Sequence, residues 1–238
     1  MIDRKRLFFI PALFACFILS QNMNAQRVNQ FDENKQRTGV WKKYYPNKRI
    51  RYEGNFKNGK EVGIFKFYDI TNSKQPVVIK TFFEDSDSLF VQFYSLKGTI
   101  ETEGVLHGRN RVGNWKYFYA DGTVMSEENY KGGKLNGAQL IYYKDGKVTE
   151  FAVYEDGFKQ GVSSKYASNG NLIEEITYKK GKPNGLAKYF ELNGNLKERG
   201  HYKDGKRIGS WAYYLDGEIA TDEEKKKKKS TYVKKKNN

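Results

Sequence analysis

Residues 113–134 read GNWKYFYADGTVMSEENYKGGK, and residues 137–158 read GAQLIYYKDGKVTEFAVYEDGF. Both stretches open on a glycine, carry an aromatic residue five places on (Phe118, Tyr142), and contain a first turn signal, Asp121-Gly122 or Asp145-Gly146. A tyrosine stands seventeen places after each glycine (Tyr130, Tyr154), followed by a second turn signal, Gly132-Gly133 or Asp156-Gly157. The two glycines are 24 residues apart, and the same ruler runs along the chain. Gly113, Gly137, Gly161, Gly185 and Gly209 keep that period, as do Gly39 and Gly63. Leu89 takes the intermediate place, with two extra residues between Thr71 and Gln75. Self-similarity at a fixed period of 20–50 residues is the signature of a repeat architecture, here about eight 24-residue units.

Between the turn signals lie short runs rich in aromatic and β-branched residues, which favour strands. Type I′ hairpin turns need positive φ at both central residues, which Asn-Gly and Asp-Gly supply. Each unit therefore reads strand, turn, strand, turn. Numbering each unit from its glycine as zero, a turn at offsets eight and nine makes paired offsets sum to seventeen. That register sets Lys42 against Glu53, Lys116 against Glu127, Leu140 against Phe151, Trp41 against Gly54 and Ser163 against Ile176. Lys188 against Arg199 is the unfavourable pair. The expected fold class is all-β: an elongated, single-layer antiparallel meander, about 75 Å long at roughly 4.8 Å per strand.

The glycine–aromatic pattern of Gly113–Gly122 and Asn129–Lys134 resembles the MORN repeat, more closely its bacterial variant with 24-residue units. The resemblance covers residues 37–217. It implies stacked hairpins in one layer and a role as an interaction scaffold; some eukaryotic members are linked to membrane lipids, and some bacterial ones carry an antitoxin label. Leu89 and the insertion before it depart from the pattern, which predicts a kink or bulge near the third unit.

The ends have a different character. Arg4, Lys5 and Arg6 precede an apolar run, Leu7 to Ser20, and a small residue, Ala25. This layout matches a secretory signal peptide, and the run is shorter than the ~20 residues a membrane span needs. The expected division is a signal peptide over 1–25, a flexible segment over 26–36, the array over 37–217, and a disordered Lys-rich tail over 218–238. The chain is expected in the periplasm, on the outer surface or secreted. Its formal charge is +15; beyond residue 25 it keeps +13, of which Lys225–Lys229 and Lys234–Lys236 supply eight. Cys16, the only cysteine, lies in the leader, so the exported chain has neither disulfide nor thiolate metal site.

Catalytic signatures are missing. No nucleophile elbow, phosphate-cradling loop or dinucleotide fingerprint occurs. His107 and His201 lack neighbouring ligand-type residues, and no cofactor is expected. Glu53, Glu103, Glu127, Glu174 and Glu175 recur with the repeat as cross-strand partners of lysine rather than as a catalytic pair. Two candidate binding surfaces remain. Strand alternation gathers Trp115, Tyr117, Tyr119, Val124, Tyr130, Ile141, Tyr143, Val148 and Tyr154 on one face, and the candidate aromatic face extends to Tyr178. A candidate basic edge is formed by Lys131, Lys134, Lys179, Lys182, Lys203 and Lys206, which flank the second turns as Lys57 and Lys60 do. The expected function is an exported, non-enzymatic scaffold presenting a repeat surface to a protein or glycan, with weak contact to an anionic membrane surface and nucleic acid an unfavoured partner. The alternatives are a polysaccharide-active enzyme of the envelope and an antitoxin or immunity protein.

Overall fold

The computed structural model describes residues 27–84, 86–215, 217–221 and 223. The expected signal peptide, Asp216 and the lysine runs of the tail lie outside the described residues. What is described is one open, 18-stranded antiparallel sheet, with strands paired in chain order except that Phe158–Lys159 and Gly161–Tyr166 both pair with Val148–Glu155. Unit one supplies strands Arg37–Tyr44 and Ile50–Lys57, unit two Lys60–Phe67 and Val78–Phe82, unit three Ser88–Tyr94 and Ile100–His107. Unit four is Asn110–Phe118 and Val124–Lys131, unit five Lys134–Tyr142 and Val148–Glu155. Unit six comprises Phe158–Lys159, Gly161–Tyr166 and Leu172–Lys179, unit seven Lys182–Phe190 and Leu196–Lys203, unit eight Lys206–Leu215 and Glu218–Ile219.

The expected register holds through most of each hairpin: Trp41 faces Gly54, Lys42 faces Glu53, Leu140 faces Phe151, Ser163 faces Ile176 and Lys188 faces Arg199. It fails at the last step. Beyond Tyr117 and Ser126 the ladder slips by one residue, so that Phe118 faces Val124. The cause is the first turn, which is not the two-residue type I′ turn its Asp-Gly suggested. It has three residues: Gly122 N–H donates to Tyr119 O (2.9 Å), Tyr119 N–H donates to Thr123 O (2.8 Å), and only Gly122 is left-handed, at φ 87°. This is a type I turn closed by a left-handed residue. The acid beside the glycine serves through its side chain, since Asp121 Oδ1 accepts from Thr123 N–H at 3.1 Å, as Asp145 does from Lys147 and Asn169 from Asn171. Because facing residues share a side of the sheet, the slip moves Val124 and Val148 off the Trp115 face and onto that of Phe118 and Tyr142.

The second turns are type I′ as expected, with Asn58 and Gly59, Gly132 and Gly133, Asp156 and Gly157, and Asp204 and Gly205 all at positive φ. Their glycines also stitch each unit: Gly59 N–H donates to Arg37 O (3.0 Å), Gly133 N–H to Arg111 O (3.0 Å) and Gly205 N–H to Pro183 O (2.9 Å).

The 24-residue marker glycine makes the joint between units. Every one has positive φ, for example 67° at Gly113 and 62° at Gly209, a region that costs other L-residues roughly 1–2 kcal/mol. At these joints the pairing jumps by two. Val105 faces Val112, yet Glu103 faces Lys116, leaving Gly113, Asn114 and Trp115 opposite Gly104 alone. This bulge swings the residue two places after the marker over the preceding unit. Leu89 shows the converse. The strand Val78–Phe82 pairs with Lys60–Phe67 and with Ser88–Tyr94 without any shift, so the third unit lacks a bulge where a kink or bulge was expected. A β-branched or γ-branched residue cannot hold the left-handed conformation cheaply, and the ladder simply runs straight.

Residues 27–36, expected to be flexible, fold back as a cap. Gln30–Phe31 pairs with Arg37–Thr38, Phe31 meets the Trp41 ring edge-on at 5.1 Å, and Trp41 Nε1 donates to Gln30 O at 3.1 Å. At the other end, Glu218–Ile219 pairs with Tyr214–Leu215 and Ala220 is buried, so the ordered array extends past residue 217.

Candidate functional site

The aromatic face is built around the bulges. Trp115 lies so close to Gly104 that a β-carbon there would come within 2.3 Å of its ring; Phe65 over Gly54 and Trp211 over Gly200 repeat the arrangement. An arginine four residues earlier roofs each tryptophan: Arg37 over Trp41 at 4.8 Å, Arg111 over Trp115 at 4.8 Å, Arg207 over Trp211 at 3.8 Å. Strand alternation alone misses this roof, although an Arg-x-Gly-x-Trp signal at 37–41, 111–115 and 207–211 marks it in the sequence. Cation–π contacts of this kind contribute about 0.5–2 kcal/mol, more when desolvated. Trp115 is 1% exposed and its Nε1 donates to Val105 O at 3.1 Å. It is core, not contact surface.

The neighbouring candidates are drawn into the same cluster. Arg111 donates to the hydroxyls of Tyr117 (2.7 Å) and Tyr130 (3.3 Å), while Tyr130 donates to Glu128 at 2.6 Å. Burial first, then Glu128, pushes the Tyr130 hydroxyl well above the ordinary tyrosine pKa. Tyr119 and Tyr143 are clamps along the first-turn edge: their hydroxyls donate to Tyr142 O (2.7 Å) and Tyr166 O (3.0 Å) of the following unit. Tyr154 and Tyr178 are half-buried, and burial first of all raises the pKa of each hydroxyl.

In units five to seven the tryptophan slot is taken by Gln139, Ser163 and Ala187. Small residues there do not open a trough. Ser163, Ala152 and Ala187 are all buried in a neighbourhood that includes Lys159 paired with Glu150 and Lys165 paired with Glu174 at 2.9 Å. The face is therefore covered by arginine at Trp41, Trp115 and Trp211 and flanked by ion pairs around Ser163.

The recurring glutamates of the opposite face are likewise engaged. Glu53 accepts from Tyr68 (2.8 Å) and pairs with Lys42 (3.2 Å); Glu103 accepts from Gln92 (3.0 Å), Glu127 from Tyr142 (3.4 Å), and Glu175 pairs with Lys188 (2.8 Å). The Tyr68 bond is the main reason the Glu53 pKa is lowered, while burial and then Glu53 push Tyr68 up to about 12. His107 shares a 3.1 Å hydrogen bond with Ser88, and His201 lies exposed. Among the described residues no group of His, Cys, Asp and Glu could hold a metal ion. One cleft of about 1020 Å³ is lined by Lys57, Lys60, Glu61, Phe82, Glu84 and Asp87 among others, at the second-turn end of unit two.

The basic edge is arranged differently from both faces. Lys131 faces Lys134, Lys179 faces Lys182, Lys203 faces Lys206 and Lys57 faces Lys60. All eight are exposed, and none enters an ion pair among the described residues. On the first-turn edge of units four and five, lysines have partners instead, Lys144 with Asp121 at 3.7 Å and Lys147 with Asp145 at 3.0 Å. Lys48 and Lys97, in the first turns of units one and three, are exposed without an ion pair among the described residues. The basic edge is interrupted by Glu155 and Asp156 in unit five and by Glu84 and Asp87 in unit two.

Comparison with protein families matches the family described as MORN repeat variant at residues 37–58, 111–131, 159–180 and 183–204. No curated protein matches the chain. Among solved structures, the chain is similar to a mutant of S. aureus TarM in complex with fondaparinux, α-GlcNAc-glycerol and UDP. The identity is 15% and the TM-score 0.28, over 40% of this chain and 19% of that one. A GtfA/B complex is similar at 14% identity and TM-score 0.28, over 39% and 18% of the respective chains. The chain thus spans about a fifth of the length of these structures.

Proposed function

We propose that this chain, four of whose segments match the MORN repeat variant, is an exported, non-enzymatic binding scaffold. The observation carrying the proposal is a contrast in how polar groups are used. Polar side chains such as Glu53, Arg111, Glu128, Glu174 and Glu175 on the two faces are engaged with neighbours, whereas repeat-equivalent lysines along the second-turn edge stand exposed and unpaired. A catalyst needs one unit that breaks the pattern with converging acids or a nucleophile and base. A scaffold needs the same group presented at regular spacing, which suits an extended partner. Like charges directly opposite on paired strands are destabilising, so their recurrence in four turns favours a use outside the fold.

Export rests on the basic–apolar–small layout of residues 1–25, and the proposed compartment is the periplasm, outer surface or medium. Cell fractionation with an antibody to the array tests this, and full retention in the cytosolic fraction refutes it. For the scaffold, the purified protein is incubated with envelope polysaccharides and assayed for released reducing ends alongside retention of the same material on immobilised protein. Retention without release is expected. Catalytic release of reducing ends that survives dilution of contaminants refutes the non-enzymatic reading.

A further inference from the structure

The second turns of units six and seven carry the densest unpaired charge among the described residues. Lys179, Lys180 and Lys182 surround one turn, Lys203 and Lys206 the next. Facing strand positions set these lysines in pairs, Lys179 opposite Lys182 and Lys203 opposite Lys206. The acid inside this group, Asp204, accepts a 3.3 Å hydrogen bond from Asn184 Nδ2, and Arg207 is held by a two-pronged bond to Glu198 at 3.0 and 3.1 Å. Asp204 keeps its negative charge, and the five lysines, none in an ion pair among the described residues, leave the edge with a net positive charge around it. Beside them stands an exposed aromatic ring. Phe158, 59% exposed, approaches the turn glycine Gly181 so closely that a β-carbon there would come within 3.3 Å of its Cδ1.

We propose that the Lys179, Lys180, Lys182, Lys203, Lys206 edge with Phe158 is a binding site for a linear acidic polysaccharide bearing one anionic group per disaccharide. This rests on the scaffold reading and names its partner. Successive turns on one edge are two strands apart, roughly 10 Å, about the length of a disaccharide in an extended chain, so one anion meets each lysine pair. Nucleic acid carries phosphates far more densely, about one per 3.4 Å along a strand, and leaves most of them unmatched. A flat membrane fits less well, because strands rotate by roughly 20–25° each and turns two strands apart present their lysines in directions some 40–50° different. A flexible polymer follows that rotation. Lysine is a compact, strongly hydrated point charge without a guanidinium's planar fork, which suits isolated carboxylates and gives salt-sensitive binding. The Phe158 ring offers the apolar face of a sugar a surface next to the charges. Glu155 and Asp156 bound the site on its unit-five side.

The test uses the purified protein and a hyaluronan decasaccharide as probe, followed by calorimetry or fluorescence anisotropy at low and physiological salt. Phosphatidylserine vesicles, a single-stranded oligothymidylate and a neutral glucan of similar length serve as competitors. Saturable, salt-weakened binding of hyaluronan is expected, stronger than that of any competitor. The K179Q/K182Q/K203Q/K206Q variant should bind at least about tenfold more weakly, and Phe158→Ala a few-fold more weakly with the salt dependence unchanged. Lys144→Gln/Lys147→Gln on the opposite edge should bind as the parent does. Circular dichroism of each variant establishes that the sheet is intact; if the quadruple variant does not fold, K203Q/K206Q alone carries the comparison, with a loss of about threefold or more expected. No saturable hyaluronan binding, equal loss in the opposite-edge variant, or preference for vesicles or oligonucleotide overturns the proposal. Retention of other envelope material by the same protein in those cases leaves the scaffold reading standing.

Discussion

A single methyl group at Gly104 probes how one unit is joined to the next. A β-carbon on Gly104 falls 2.3 Å from Trp115 Cδ2 and 2.5 Å from Cε2, more than 1 Å inside a normal carbon–carbon contact of about 3.5–4.0 Å. The ring cannot retreat cheaply. It is 1% exposed, tied by Nε1 to Val105 O at 3.1 Å and roofed by Arg111 at 4.8 Å. Overpacking of this kind costs about 1–3 kcal/mol, and straining the indole hydrogen bond adds up to about 1 kcal/mol. Gly104→Ala should therefore destabilise by about 1–4 kcal/mol. Gly113→Ala, nine residues on, is a contrasting control. Nothing lies within 4 Å of its added carbon, and its cost is only that of holding φ at 67°, about 1–2 kcal/mol. The assay is native-state hydrogen exchange read by mass spectrometry. Because each repeat contacts only its neighbours, Gly104→Ala should lose protection in units three and four while units six to eight keep theirs. Gly104→Ala/Trp115→Leu should recover part of the loss attributable to the clash, seen as a non-additive double-mutant cycle. A Gly104→Ala variant no less stable than Gly113→Ala, or uniform loss along the chain, would refute the account of the joint.

Other perturbations read different parts of the array. Gly161→Val places a β-branched residue at φ 75°, a conformation such residues rarely adopt; protection should fall in units five and six before the ends, as exchange on resolved peptides will show. Tyr68 titrates near 12 in the folded chain against about 10 for the free side chain, so its contribution to stability is complete below pH 10 and lost as pH rises towards 12. Ultraviolet titration should show several tyrosines, Tyr68 among them, ionising late, and Glu53→Gln should move one of that group earlier. Glu53 is lowered, first by the Tyr68 hydrogen bond, so its contribution is present above its ordinary value of 4.5 and lost as pH falls through the depressed one. Tyr68→Phe should shift acid unfolding to higher pH, and an unchanged acid midpoint would count against the bond. Far-UV circular dichroism should show a β-dominated spectrum; more than about a quarter helix is incompatible with the array.

The period, the strand–turn–strand–turn unit and most of its register were legible in the chain because they depend on local chemistry repeated every 24 residues. Gly-containing pairs select tight turns whatever surrounds them, and cross-strand pairs such as Lys42–Glu53 follow once the turn is placed. Properties that depend on neighbouring units were not legible. The three-residue first turn was hidden because Asp-Gly serves both turn types, and its slip moved Val124 and Val148 to the other face. The marker glycine was visible as a period, but its left-handed conformation, and the two-residue bulge that lays Trp115 over Gly104, arise only when two units pair. Alternation could place Trp115, Tyr117 and Tyr130 on one face, yet whether such a face is surface or core depends on what covers it. That cover is Arg111, brought over the ring by the same bulge. Conversely, the lysines of the second turns could be named from the sequence, but that they lack partners while Lys144 and Lys147 have them is a matter of which acids the fold sets beside each lysine. Hydrogen-bonded turns are decided within a few residues of chain; burial and charge pairing are decided between strands that only the assembled sheet brings together.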